Sequence, residues 1–90
     1  MNLASKVVAP PHVIARDLGD GAVILDLATG TYHGLDPVGA RVWALLLEGR
    51  TLSTVCDVMA SEYEVSRVEL ERDVLRLVGD LVEQKLVEPA

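Results

Sequence analysis

The sequence predicts an α+β domain of winged helix-turn-helix type: an N-terminal three-stranded antiparallel sheet followed by three helices. Three observations predict it. Gly21 to Leu35 reads as two short apolar strands folded about a glycine turn. Asp36-Pro37, directly after the second of these strands, is a helix start. The rest of the chain carries three amphipathic stretches with short breaks between them.

Residues 1–11 end in Pro10-Pro11 and are expected to be a flexible lead-in, with a single folded domain over 12–89. His12–Asp17 is a candidate first strand, and Leu18-Gly19-Asp20-Gly21 is a turn by composition. Ala22–Leu27 and Thr31–Leu35 form the hairpin around Ala28-Thr29-Gly30. Gly30 suits a glycine bulge there, because glycine takes positive φ without a Cβ clash. The two-residue period puts Val23, Leu25 and Leu27 on one face of their strand, with Asp26 opposite. In the next strand Tyr32 and Gly34 share one face, and Thr31, His33 and Leu35 the other.

The first helix is expected over Pro37–Glu48. Asp36 caps it, and Pro37 loses no hydrogen bond at a position whose N–H is unpaired anyway. Val38, Val42, Leu45 and Leu46 fall on one side with Trp43 at the shoulder, and Gly49 closes the helix. The second helix covers about Leu52–Glu62 behind Thr51 or Ser53. The third covers about Arg67–Gln84, and Ser66-Arg67-Val68-Glu69 is its capping box.

That third helix carries two apolar stripes. Leu70, Val74, Leu77, Val78 and Leu81 suffice to face a core. Val68, Leu75 and Val82 form a second stripe beside Gly79. The second stripe either packs on the sheet or lines a groove between this helix and the sheet edge. Gly79 favours the groove, since glycine costs about 1 kcal/mol in a helix interior and otherwise needs a packing reason.

Composition narrows the function. Ninety residues make one domain with one modest core. Half of the residues are hydrophobic, which suits either a tight aliphatic core or an exposed contact face. A net charge of −6 repels phosphate and makes nucleic acid a poor partner. The single Cys56 excludes an internal disulfide and fits a reducing cytoplasm. The first residues hold no apolar run long enough for a signal peptide or a membrane span, so a cytoplasmic location without membrane association is expected.

No constellation for catalysis stands out, and no cofactor or metal is expected. Cys56 falls within the second helix and reads as a small core residue. His12 and His33 lack Cys or carboxylate neighbours at ligand spacing. His33 is either a strand surface residue or a contact for a bound peptide. Arg72, Asp73 and Arg76 are either a solvated face or a meeting point for polar groups of a ligand.

The ordered set Gly21–Asp26, Thr29–Tyr32, Leu35–Ala40 and Trp43 resembles the PqqD-like leader-peptide recognition domains, the recognition elements of ribosomal peptide-modifying pathways. Arg50-Thr51, Glu62–Val65, Asp73-Val74, Leu77-Val78, Leu81 and Leu86–Pro89 continue the resemblance almost to the end of the chain. Within the family the chain is most similar to the free-standing lasso-peptide members. The Tyr-Pro-Glu-Gly run usual in the quinone-cofactor member is replaced by Asp26-Leu27-Ala28-Thr29-Gly30. Lys85 stands where the family usually has Gly, so the end of the third helix is expected to close differently.

The resemblance implies a non-catalytic binder of a precursor leader peptide. It further implies delivery of that precursor to a leader-cleaving cysteine protease and an ATP-dependent cyclase. It also implies that the leader adds as a strand to Thr31, Tyr32, His33, Gly34 and Leu35. The side chains of the leader would rest beside the third helix, on Val68, Arg72, Leu75, Arg76, Gly79 and Val82. The protein would be a monomer or a weak homodimer.

The element order also permits a small winged-helix DNA-binding protein or a dimeric scaffold. Against DNA, the third helix and its end carry four basic residues to five acidic ones, lack Asn and hold Gln only at the end.

Overall fold

The computed structural model describes residues 1–90, and its N-terminal segment is tied into the domain rather than forming a flexible lead-in. Strand β1 (Val7–Val8) pairs antiparallel with β5 (Glu88–Pro89) at the other end of the chain. Val7 is 1% exposed and belongs to the core. The carbonyls of Leu3 and Ser5 accept the N–H groups of Ser53 and Leu52 at 2.8 and 3.0 Å. Those N–H groups belong to the first turn of a helix, where no intrahelical partner exists. The segment is held because it satisfies them and buries Val7.

The main sheet is β2 (Val13–Asp17), β3 (Ala22–Asp26) and β4 (Thr31–Leu35), antiparallel and in that order. Ile24 pairs with Ala15 on one side and His33 on the other. The inward face of β3 is Ala22, Ile24 and Asp26, with Ile24 fully buried. The alternation left open which face is inward, and the structure turns Val23 and Leu25 outward. Leu27 leaves the strand and joins a four-residue loop, Leu27–Gly30, closed by Gly30 N–H donating to the Asp26 carbonyl at 2.8 Å. Gly30 takes a φ of 73°. The buried Asp26 carboxylate accepts the Ala28 N–H at 2.9 Å and lies 3.8 Å from His12 Nε2, so its burial leaves it partnered.

Three helices complete the core: α1 (Pro37–Leu47), α2 (Leu52–Glu62) and α3 (Arg67–Glu83). Each cap is made by a side chain. Asp36 accepts from Gly39 N–H, Thr51 from Thr54 N–H and Ser66 from Glu69 N–H. Leu45, Leu46, Leu52, Val55, Met59, Val74 and Val78 meet in one cluster with Ile24, Val7, Leu86 and Val87. Cys56 lies in that cluster, and burial pushes its thiol pKa up, so it remains a protonated packing residue. Arg67 ties the start of α3 to α2 through Asp57 and the Ser53 carbonyl, and bridges Glu71 at 2.8 Å within its own helix.

The end of α3 closes with Leu86 N–H on the Leu81 carbonyl at 2.9 Å and Lys85 N–H on the Val82 carbonyl at 3.0 Å. This is the pattern that glycine ordinarily serves. Lys85 adopts it with a φ of 62°, the only non-glycine residue at positive φ. The closure is therefore the glycine one after all, made by a lysine under strain. Lys85→Gly is expected to stabilise the fold by about 1 kcal/mol. A thermal melt would read this as a rise of roughly 4–8 °C.

Gly21 opens β3 against the end of β4. A Cβ there would lie 2.5 Å from the Leu35 carbonyl oxygen. Gly21→Ala must push β4 aside at Leu35 and is expected to cost about 1–3 kcal/mol. The check is a lowered midpoint of chemical denaturation.

Candidate functional site

β4 has β3 on one side and no strand on the other. Alternate residues of an antiparallel edge strand point their N–H and C=O groups away from the neighbour, so β4 offers a row of unpaired main-chain groups. The edge holds neither Pro nor Lys to block pairing. Tyr32 is 71% exposed on the outward face, opposite Leu25. His33 is half-buried on the inward face opposite Ile24, its Nε2 3.3 Å from the Thr31 hydroxyl. The five β4 residues singled out from the sequence thus lie on one continuous open edge.

A groove of about 420 Å³ opens where this edge ends. Gly34, Leu35 and Asp36 form its sheet side. Val38, Gly39 and Val42 of α1 form the adjoining wall, with Met59 behind them. Leu70, Asp73, Val74 and Leu77 of α3 form the far wall. Tyr63 and Val65, between α2 and α3, complete the lining. Val38 and Val65 are 44% and 45% exposed, which gives the groove an apolar rim.

Local chemistry fixes these walls. The Asp36 carboxylate accepts the Gly39 N–H at 2.7 Å, so α1 begins with no loop after β4. Arg41 donates to both carboxylate oxygens of Glu62 at 2.9 and 2.7 Å, joining α1 to the end of α2 just before Tyr63. That hydrogen-bonded pairing holds the Glu62 carboxyl below the usual carboxylate range and raises Arg41.

The α3 residues in the groove differ from those expected. Its wall is drawn from the first apolar stripe, and Val68, Arg72, Leu75, Arg76, Gly79 and Val82 do not line it. Val68 is 76% exposed. Leu75 is half-buried at the margin of the core. Val82 borders a smaller hollow with Pro10, His12 and Val87 near the β1–β5 pair. A Cβ at Gly79 would meet nothing within 4 Å, so no close packing accounts for that glycine. The physical reason is rotational. The core takes Leu70, Val74, Val78 and Leu81, so Asp73 and Leu77 beside them face the groove while Val68 faces solvent. Asp73 was the readable signal, a carboxylate beside an apolar stripe.

No helix is long and apolar enough to cross a membrane. No curated protein sequence matches the chain. Two solved structures are similar over almost all of it. One is TbiB1 in complex with the TbiA(beta) leader peptide, 38% identical, with a TM-score of 0.86 over 90% of this chain and 94% of that one. The other is a lasso peptide synthetase B1 complexed with the leader peptide, 32% identical, with a TM-score of 0.86 over 93% of this chain and 99% of that one. Residues 21–87 match the family model described as coenzyme PQQ synthesis protein D (PqqD). With that match spanning well over half of its length, the chain belongs to the PqqD family.

Proposed function

We propose that this chain is a non-catalytic binder of the leader segment of a ribosomally made precursor peptide, in a lasso-peptide pathway. The observation that carries the reading is the free edge of β4 running directly into an apolar groove, in a chain whose solved relatives hold leader peptides. The leader adds to β4 as a fourth strand, antiparallel like the rest of the sheet. In that direction its N-terminal part lies at Leu35 and in the groove, and its C-terminal part leaves past Thr31. The segment to be modified therefore emerges beside the Leu27–Gly30 loop, open to a leader peptidase and an ATP-dependent cyclase.

Magnitudes divide the work between edge and groove. About four main-chain hydrogen bonds at ~1 kcal/mol each do not offset the cost of ordering a flexible peptide. Apolar side chains seated on Val38, Val65 and Leu77 supply the remainder. The edge fixes register, and the groove supplies affinity and choice.

Two measurements test this. Leu77→Glu places a charge in the half-buried wall of an open groove. It should weaken binding of the TbiA(beta) leader peptide by about 2 kcal/mol or more, while the chain still melts in one cooperative transition at a lowered midpoint. Val68→Glu, on the same helix but outside the groove, should bind as before in the same calorimetric titration. The reverse ranking would return the site to the Val68 stripe. In amide exchange, the same peptide should slow alternate residues of Thr31–Leu35 and leave α2 unchanged. Protection centred on α2, with none in β4, would reject strand addition.

A further inference from the structure

We infer that the peptide segment seated in the groove carries a basic side chain, Lys or Arg, and that Asp73 is the residue that selects it. The inference deepens the leader-binding reading and rests on it. The groove lining contains two carboxylates, Asp36 and Asp73, and no Lys, Arg or His. The two acids are not equivalent. Asp36 is engaged as the cap of α1 through Gly39 N–H at 2.7 Å. Asp73 makes neither an ion pair nor a side-chain hydrogen bond, whereas Arg41, Arg50 and Arg67 all have carboxylate partners. Arg72 and Arg76, its neighbours along α3, neither line the groove nor bridge to it.

The Asp73 carboxylate is exposed at the rim of the groove beside Leu70, Val74 and Leu77, unpaired and open to a partner. On a chain of net charge −6, the groove repels an acidic segment and draws a basic one. Lysine and arginine fit the surroundings as well as the charge. Their methylene stems lie along apolar surface while the head reaches a carboxylate at the rim. A neutral donor such as a tyrosine hydroxyl would also find an acceptor in Asp73, but it would leave the charge uncompensated.

The test uses the full chain and a display library of random 20-residue peptides. Wild type, D73N and D73K are panned in parallel. D80N, an exposed acid of α3 outside the groove, serves as the control for bulk charge. Peptides selected by wild type and by D80N should share Lys or Arg at one fixed position relative to an apolar anchor. Those selected by D73K should carry Asp or Glu there. In fluorescence anisotropy, changing that basic residue to Gln in the best wild-type peptide should weaken binding by roughly two- to fivefold at low salt. The same change should make no difference with D73N. Peptides that enrich with no charge at a fixed position, or that bind wild type and D73N equally at low salt, would overturn the inference and leave leader binding standing. Enrichment of no peptide at all would overturn leader binding and this inference together.

Discussion

The carboxylate of Asp36 governs the joint on which the site depends. By accepting the Gly39 N–H it starts α1 immediately after Leu35, with Pro37 fixing the first helical φ. A longer connection would let the helix pivot away from the sheet. Because there is none, the last residues of an open strand and the first turn of a helix share one wall of the groove. Gly21 enforces the same closeness from the other side, since no side chain can stand between it and the Leu35 carbonyl. Main-chain recognition and side-chain recognition are thus placed side by side by two short-range contacts, each local to a few residues.

The opposite wall is held less directly. Arg67 fastens the start of α3 to α2, and Arg41 fastens α1 to the end of α2. These are surface pairs of modest individual energy. The buried cluster of Met59, Val74 and Val78 carries the packing. The groove lies where that cluster stops short of the sheet edge. Its openness follows from core residues that pack among themselves and leave Leu77, Val38 and Val65 with an apolar side still facing outward.

What was legible in the sequence was what is local. The hairpin glycine, the Asp36-Pro37 start and the Ser66 cap each act within a few residues, and each lies where the pattern put it. What was not legible depends on distant partners. β1 and β5 are two residues each and come from opposite ends of the chain, too short for any period to register. Both faces of β3 are apolar, so alternation could not say which was inward, and Asp26 marks the buried face only because Ala28 and His12 partner it. The two stripes of α3 were both visible. Which one met the groove depended on how the helix rolls against the rest of the core, and within the helix only Asp73, a carboxylate beside the first stripe, hinted at it.

The pairing of Val7 with Pro89 has a consequence of another kind. The Ala90 N–H reaches the Lys6 carbonyl at 3.0 Å, so Lys6–Val8 and Glu88–Ala90, at opposite ends of the sequence, lie side by side. A unit built this way behaves like a closed loop of structure. Opening it at either end takes Val7 out of the core and leaves the first N–H groups of α2 without partners, so damage at one end of the sequence is felt in the middle of it.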